Sequence, residues 1–522
     1  MEFLLPFYNI LPVYPIRAGL LEDAAPRLPT PPPATPPQKS PVEALRSSAA
    51  PRRAEDRREV EAATQRLVKP GDHPISSCLC VAQCPGYARH LFDGMSPSEE
   101  CGIDDLPDEL LQQILSLLSA DEAVKTCVLS RRWRHLWKST DILRVAYSTD
   151  RWKSSDEFKK FVNHLVLLRG ISPLRELDLR FNARRYEDVV HDGGSDPYQC
   201  VMLWVMYAVM CRVQVLKIHN LDQIDIEVYK GMPLVSPHLT KIELSGIELK
   251  NCFLNFSSCP ALKELYFTKN CGFDSVYEIL SRSIQCLHIF HCQFGEYHRT
   301  DIYAPSLVTL LLEGFCGRTP FLGRMPSLVE ASVRPHQDCD DSCSNSYSGN
   351  CEDEYCDGCH CRYEVSDDSE SVLLGGLTEA ENLKLIAGPN IFIFRSDLRW
   401  CPLFSKMKCL LLNEWCLASN FSALACILEH SPVLRKLTLK ISKEYKSMVE
   451  LETEENDNPL WKPAAISEHL KVVKVHCKEV DEGVYKIGKW LSTLDKKVII
   501  KQRKQQPKRK LTVDIFSFFQ YF

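Results

Sequence analysis

LTKIEL (residues 239–244), LKELYF (262–267), IQCLHI (284–289) and LVTLLL (307–312) share one pattern, L-x-x-L-x-L, in which each L place holds an apolar residue. Between residues 213 and 328 the pattern recurs at steps of 26, 23, 22, 23 and 21 residues. A chance pattern would not recur at such regular intervals. The ten starting positions are Leu174, Val213, Leu239, Leu262, Ile284, Leu307, Leu328, Met407, Leu434 and Leu470.

This period predicts a leucine-rich-repeat solenoid over residues 160–480, because such repeats recur every ~20 to 29 residues. Each unit would supply one strand and a return segment of helix or loop. No unit can bury its apolar side alone, so the units stack into a horseshoe of α/β class. Asn182, Asn270 and Cys292 complete the longer form of the pattern, in which the side chain bonds to backbone groups of the turn.

Polar residues at the outward strand positions are the candidates for contact with another protein, since solenoids bind through their sheet face. Taken singly, a solvated face explains each of them better than a contact does. The candidate target-binding residues are Arg175, Lys241, Glu243, Lys263, Tyr266 and Arg435.

A helical segment precedes the repeats: IDDLPDELLQQILSLLSADEAVKTCVLSRRWRHLWKS, residues 103–139. Pro107, followed by two acids, is a helix start signal. Asp121 and Ser130 are placed to cap a second and a third short helix. So small a unit cannot hide two tryptophans and at least six aliphatic residues, and such an excess favours a docking surface.

The order of Leu106-Pro107, Leu110, Ile114-Leu115, VLSRRW (128–133) and Leu136-Trp137 resembles the F-box, the helical module that docks a Skp-type adaptor in cullin-RING ubiquitin ligases. The resemblance covers residues 103–140. A plain helical hairpin, or a helix-turn-helix whose basic third helix reads DNA, is the alternative. The adaptor-binding residues that the resemblance implies, as contacts or as their support, are Leu106, Pro107, Leu110, Ile114, Leu118, Val128, Leu129, Trp133 and Trp137.

The chain as a whole resembles the plant F-box/leucine-rich-repeat family, and its closing part is similar to the C-terminal FBD-like module of some members. The resemblance implies a substrate-recognition subunit of an SCF-type ligase. Its partners would be a Skp-type adaptor, through it the cullin and RING subunits, and an unknown target protein. A repeat-protein scaffold without a ligase, or a nucleic-acid binder, remains the alternative.

Residues 1–98 are expected to be mostly disordered, with an organelle transit peptide as the alternative. Twelve of the 32 prolines lie in residues 1–51, and a charged run follows. Such a segment cannot bury enough surface to offset the entropy of ordering. No window offers the ~18 apolar residues of a membrane span. The 24 cysteines of this long chain therefore indicate reduced thiols in the nucleus or the cytoplasm.

An acidic, cysteine-rich insertion interrupts the repeats at residues 336–372. It holds eleven acids, six cysteines and two histidines, His336 and His360. Cys356 and Cys359 have ligand-like spacing, but a second equal C-x-x-C pair is absent. A solvated loop is expected there, and a zinc site is the alternative.

The remaining chemistry is sparse. No phosphate-binding, dinucleotide-binding, zinc-protease or nucleophile-elbow motif occurs in the sequence. The chain is predicted to be no enzyme, with no catalytic residue, no metal and no cofactor. Residues 481–522 are expected to form a C-terminal cap and a basic tail, and residues 501–510 are either a solvated run or a nuclear-import patch.

Overall fold

The computed structural model describes residues 103–148, 150–181, 197–220, 234–250, 254–342, 371–388, 391–417, 421–441 and 466–502. The predictions for residues 1–98, for most of the acidic insertion and for the basic tail beyond residue 502 lie outside the described residues. Within them, no helix is long and apolar enough to cross a membrane.

Residues 103–140 form a compact helical module of α1 (Asp108–Leu115), α2 (Ala120–Lys125) and α3 (Trp133–Leu136), with 3-10 turns at Ile103–Asp105, Thr126–Val128 and Trp137–Ser139. Pro107 stands directly before α1, as its start signal predicts. The two predicted caps are wrong. Ser119, rather than Asp121, precedes α2, because the backbone N–H and the hydroxyl of Ser119 both donate to the carboxylate of Glu122. Arg132, rather than Ser130, precedes α3.

The rest of the described chain is built on strands. They are β1 (Ile142–Ala146), β2 (Glu176–Phe181), β3 (Val215–Asn220), β4 (Lys241–Ser245), β5 (Glu248–Lys250), β6 (Glu264–Thr268), β7 (Gly272–Ser275), β8 (Glu278–Leu280), β9 (Cys286–Phe290), β10 (Gln293–Phe294), β11 (Asp301–Tyr303), β12 (Thr309–Gly317), β13 (Phe321–Leu322), β14 (Glu330–Cys339), β15 (Asn382–Leu385), β16 (Cys409–Asn413), β17 (Lys436–Lys440), β18 (Val472–Cys477) and β19 (Lys497–Gln502).

One long parallel sheet runs in chain order, β1-β2-β3-β4-β6-β9-β12-β14-β15-β16-β17-β18-β19. Each pattern start of the sequence is followed by one of these strands. The mixed α/β class is thereby confirmed. We call this sheet the main sheet.

The return segments between these strands differ along the chain. Near the ends they contain the helices α4 (Ser155–Arg169), α5 (Pro197–Met210), α6 (Ile393–Asp397), α7 (Ser422–Glu429) and α8 (Glu482–Ser492). In the middle they contain strands, which corrects the prediction of helix or loop alone. There β8, β11 and β13 form a separate parallel sheet, while β5 pairs with β7, β7 with β10, and β10 with β12.

Alternating leucines hold the sheet on its core. Leu244 on β4 lies in register with Phe267 on β6, and Phe267 with Ile289 on β9; all three are almost fully buried. Burying such a side chain stabilises the fold by ~1.5 to 3 kcal/mol. The same cluster runs from Leu111 in the helical module to Leu494 after α8, so one core serves every described unit.

Three strands of the main sheet follow no L-x-x-L-x-L match. The first position of the pattern, where the other units have a large apolar residue, is Thr140 before β1, Ala380 before β15 and Asp495 before β19. Thr140 and Ala380 are nevertheless buried. The sheet thus reaches from Ile142 to Gln502, beyond the range of residues 160–480, while the proposed domain boundaries stay predictions.

Asparagine side chains bond to backbone across neighbouring units. Asn220 donates from Nδ2 to the Gly246 carbonyl at 3.0 Å, and Asn413 both donates to the Ala387 carbonyl at 2.8 Å and accepts from its N–H at 3.0 Å. The predicted Asn270 is instead an exposed residue with φ of 60°. Cys292 donates to the nearby Phe290 carbonyl at 3.5 Å, and Asn182 lies outside the described residues.

Candidate functional site

The helical module exposes part of its apolar side chains. Val128 is 75% exposed and Leu129 is 45% exposed, at the turn that leads into α3. Pro107 is exposed as well, and Leu117, which the sequence argument missed, is 40% exposed in the turn after α1. Four further predicted residues are half-buried beside them: Leu106, Leu110, Ile114 and Leu118. We call these eight residues the docking surface: Leu106, Pro107, Leu110, Ile114, Leu117, Leu118, Val128 and Leu129.

The two tryptophans support this surface from below. Trp133 is 2% exposed and Trp137 is 6% exposed, and both belong to the common core. Arg132 ties α3 to the start of α1: its guanidinium donates to Asp108 Oδ1 at 2.5 and 2.8 Å and to the Leu106 carbonyl at 2.5 Å. The tryptophans are buried, and their part in adaptor binding stays a prediction.

The helical module sits directly on the first strand of the main sheet. Arg144 on β1 donates to the Ser116 carbonyl at the end of α1. Arg151, after β1, donates to Glu122 Oε1 at 3.0 Å and to Asp121 Oδ1 at 3.3 Å in α2. Burial raises the pKa of Asp121, but its bond from Ser119 and the charge of Arg151 outweigh this, so the net shift is downward and its carboxylate stays charged.

The side of the main sheet that faces away from the core carries mostly polar residues, and we call it the polar face. Strand register aligns its middle row across the sheet. This row consists of Asp178, Lys217, Glu243, Tyr266, His288, Leu311, Ser332, Lys384, Leu411, Thr438 and Lys474.

Tyr266 is the centre of a packed cluster on the polar face. Lys241 Nζ lies 4.3 Å from the centre of its ring, within cation-π distance, and 3.5 Å from Glu264 Oε2. The Tyr266 hydroxyl donates to the same carboxylate oxygen at 3.1 Å. On the next strand, the ring of His288 meets Tyr266 edge-on at 4.8 Å. We call Lys241, Glu243, Glu264, Tyr266 and His288 the tyrosine cluster.

The environment keeps the imidazole of His288, the phenol of Tyr266 and the thiol of neighbouring Cys286 neutral near pH 7. Desolvation, with the charge of Lys241, lowers the pKa of His288 to about 4. Desolvation and the hydrogen bond with Cys286 raise the pKa of Tyr266 well above its usual value, and desolvation also raises that of Cys286. A neutral imidazole, phenol and thiol beside one lysine suit a recognition surface.

A cavity of ≈ 720 Å³ lies against the C-terminal parts of β9, β12 and β14 and the ends of β15, β16, β17 and β18. Its lining includes Arg334, Lys440 and His476, along with Glu313. Glu313 is buried and paired across three strands: Lys384 Nζ lies 2.5 Å from its Oε1, and Ser332 donates to the same oxygen at 2.7 Å. This cavity was not predicted from the sequence, although its polar residues directly follow the L-x-x-L-x-L pattern, at the edge of the sheet where the parallel strands end.

The six predicted target-binding residues fall into two groups. Lys241, Glu243 and Tyr266 lie together on β4 and β6, where Glu243 is in register with Tyr266. The other three, Arg175, Lys263 and Arg435, stand one residue before β2, β6 and β17. Arg175 Nε donates to Asp141 Oδ2 at 2.7 Å, and by strand order Arg175 and Arg435 lie away from the tyrosine cluster. Both groups stay predictions as binding residues.

Comparison with known proteins matches the F-box domain family to residues 103–144. An F-box/FBD/LRR-repeat protein of Arabidopsis thaliana is 25% identical over 385 residues, which cover 67% of this chain and 79% of the relative. An FBD-associated F-box protein of the same plant is 30% identical over 266 residues, or 44% of this chain and 57% of the relative. An F-box/LRR-repeat protein is 28% identical over 274 residues, which are 47% of this chain and 85% of the relative. The resemblance to plant F-box/leucine-rich-repeat proteins with an FBD-like module is therefore confirmed, and the chain carries an F-box domain.

Proposed function

We propose that this chain is the substrate-recognition subunit of an SCF-type ubiquitin ligase, in which the F-box docks a Skp-type adaptor. The observation that carries this proposal is the docking surface: exposed Val128, Leu129 and Pro107 on a module whose tryptophans are buried. An apolar surface of this kind, above a packed support, is typical of a protein interface. The adaptor would connect the chain to the cullin and RING subunits.

The main sheet is the proposed target-binding part. Its strands in chain order, with one unit pairing only with the next, support a leucine-rich-repeat horseshoe. The polar face would bind the target protein through the tyrosine cluster, since tyrosine with neighbouring charges is enriched at protein interfaces. The cavity at the strand ends would extend this contact.

The chain would act by tethering. A target held on the polar face is presented to the ubiquitin-charged enzyme at high effective concentration, so that transfer becomes nearly intramolecular. No residue of this chain needs to touch ubiquitin or to transfer a proton. We propose that the chain works in the nucleus, the cytoplasm or both.

Two other functions are less well supported by the geometry. A helix-turn-helix would need a recognition helix, but α3 is Trp133–Leu136, a single turn, and Arg132 is engaged with Asp108. A scaffold without a ligase would keep the polar face and lose adaptor binding. Adaptor capture separates this scaffold from the proposed receptor.

Adaptor capture tests the docking surface directly. We expect Leu106→Ala/Pro107→Ala to abolish binding of a purified Skp-type adaptor, and Val128→Asp to do the same, because a buried charge in an apolar interface is costly. The matched control is Val480→Ala/Tyr485→Ala, which removes two exposed apolar side chains near the other end of the sheet. Adaptor binding retained by both F-box variants would refute the assignment.

Target binding needs a trap because the target is unknown. In cells, Leu106→Ala/Pro107→Ala should hold a target without degrading it, so that the target accumulates with the chain. Adding Tyr266→Ala and Lys241→Ala should release that same target. Adding Tyr297→Ala, an exposed tyrosine outside the polar face, should leave it bound. Equal release by both additions would contradict the role of the tyrosine cluster.

A further inference from the structure

Two return segments of the C-terminal half bring two thiols and an imidazole together. Cys401 follows a 3-10 turn at Leu398–Trp400, Cys426 lies in α7, and His430 directly follows α7. One ligand-capable atom of each residue lies within 4.8 Å of the other two. All three residues are half-buried, so an ion from solvent can reach them. We call them the thiol-imidazole trio.

The spacing of two members follows from the helix. Cys426 and His430 are four residues apart, which puts their side chains on one side of α7. Cys426 Sγ lies 3.9 Å from His430 Nδ1, and this nitrogen also lies 2.8 Å from the Cys426 carbonyl oxygen. In the tautomer that donates Nδ1–H to this carbonyl, Nε2 carries the free lone pair, an arrangement usual for metal-binding histidines.

The third member is held against the other two by the backbone. The Phe404 N–H donates to the His430 carbonyl at 2.8 Å, which ties the segment after Cys401 to the end of α7. The segment that carries Cys401 and the helix that carries Cys426 and His430 are therefore held together by a backbone hydrogen bond. They come from the return segments before β16 and β17, which are neighbouring units of the sheet.

We propose that Cys401, Cys426 and His430 bind a zinc ion, with the fourth tetrahedral position taken by water or by an external ligand. Thiolate and imidazole are ligands that zinc prefers, and three protein ligands plus one open position is an established zinc geometry. Ligand atoms at zinc distances of ~2.0 to 2.3 Å lie ~3.5 to 3.8 Å from one another. The three ligand atoms already lie within 4.8 Å of one another, so each pair has to approach by about 1 Å to reach this spacing.

The local electrostatics agree with this geometry. The hydrogen bond from Cys401 and the charge of His430 together lower the pKa of Cys426 to about 7, against the opposing effect of desolvation. The same thiol pair raises the pKa of Cys401. Zinc would displace the remaining thiol proton, so its binding should release protons.

Zinc bound here would join two neighbouring units across their return segments. Because each unit of a solenoid contacts only its neighbours, a link of this kind stabilises one specific unit boundary. The proposal is independent of adaptor docking, and its residues lie outside the acidic insertion that the sequence singled out.

The test uses the full chain, purified under reducing conditions, and compares zinc content by mass spectrometry. Wild type should hold about one zinc more per chain than Cys401→Ser, Cys426→Ser or His430→Ala. The controls Cys316→Ser and Cys409→Ser, half-buried thiols outside the trio, should match wild type. A Cys356→Ser/Cys359→Ser variant accounts separately for zinc in the acidic insertion.

Cobalt supplies a second readout, since Co²⁺ in a tetrahedral thiolate site absorbs in the visible and near ultraviolet. These bands should appear in wild type and the controls and be lost in the trio variants. Thermal unfolding shows whether the trio variants are still folded. Zinc should raise the Tm of wild type and controls, while the trio variants should have the Tm of wild type from which zinc has been removed by a chelator. The proposal would be overturned if the trio variants matched wild type in zinc content, in cobalt bands or in the rise of Tm with zinc. A Cys401–Cys426 disulfide in the isolated chain would overturn it as well.

Discussion

Buried charge at single residues is matched by partners far away in the sequence. Arg299 donates to both carboxylate oxygens of Asp341, at 2.8 and 2.9 Å, and the Thr319 N–H donates to Asp341 at 2.8 Å. The side chains of Arg299 and Asp341 are 15% and 4% exposed. No local pattern relates these residues, and only the stacking of units brings them together.

We expect Asp341→Asn to lower the free energy of unfolding by about 3 to 5 kcal/mol, because it leaves the buried Arg299 without its charge partner. Chemical denaturation at pH 7 measures the loss. The control, Asp338→Asn, removes an exposed carboxylate whose side chain is 71% exposed, and should change stability by less than about 0.5 kcal/mol. Similar losses in both variants would contradict the role of the pair.

The same pair predicts a dependence on pH. Desolvation raises the pKa of Asp341, but the charge and hydrogen bonds of Arg299 outweigh it, and the net shift is downward. A lowered folded pKa stabilises the fold above the unfolded value, ~3.9, and this contribution is lost as pH falls toward the folded value. The stability difference between wild type and Asp341→Asn should therefore shrink below about pH 4. A difference that is constant or grows on acidification would contradict this sign.

At the scale of elements, the strands that the sequence predicts are those whose first pattern position is a large apolar residue. β15 escapes notice because Ala380 stands in that place, although Ala380 is fully buried and β15 pairs in register with β14 and β16. The pattern marks side-chain size, whereas the fold requires only that the position be buried. The capping residues of α2 and α3 were predicted wrongly because several polar residues near each helix start could fill the cap position.

The candidate sites also differ in how far the sequence predicts them. The docking surface follows a family motif, so its residues could be named from the sequence, but which of them are exposed could not. The cavity and the thiol-imidazole trio depend on the register between units. The i, i+4 spacing of Cys426 and His430 was the available signal for the trio, and nothing in the sequence places Cys401 beside them.

Residues 345–368 of the acidic insertion should be dispensable for the fold, because the two ends of the insertion are held by separate contacts. Near its start, Asp341 pairs with Arg299. At its end and just beyond, the carboxylate of Asp397 in α6 accepts from the N–H groups of Val372, Leu373 and Leu374 at 2.6 to 2.8 Å. Replacing residues 345–368 by a short Gly-Ser linker should change the free energy of unfolding by no more than about 1 kcal/mol, since closure entropy varies slowly with loop length.

Denaturant unfolding of this deletion variant measures its stability, and Asp397→Ala is the comparison. Loss of Asp397 orphans several buried N–H groups and should cost more than the deletion. A deletion variant that is less stable than Asp397→Ala would show that the insertion contributes directly to the fold.

At the scale of the whole molecule, the F-box and the main sheet share one core instead of being joined by a linker. Leu115 and Trp137 of the F-box belong to the same buried cluster as Leu143 and Val145 of β1. Arg144 and Arg151 add polar contacts from the sheet side to α1 and α2. A target on the polar face would therefore stand at a fixed position relative to the adaptor, which favours transfer to a limited set of lysines.

Shared burial predicts that the F-box opens together with the first units of the sheet. In hydrogen exchange, amides of α1 and α2 should have the same free energy of opening as those of β1 and β2, because cooperative units open together. Amides of β18 and β19, at the other end of the sheet, serve as the comparison and should open independently, since units couple mainly to their neighbours. F-box amides that exchange well before those of β1 would instead indicate a separately folding module. In that case the adaptor and the target would move freely relative to each other, and the fixed geometry proposed for ubiquitin transfer would fail.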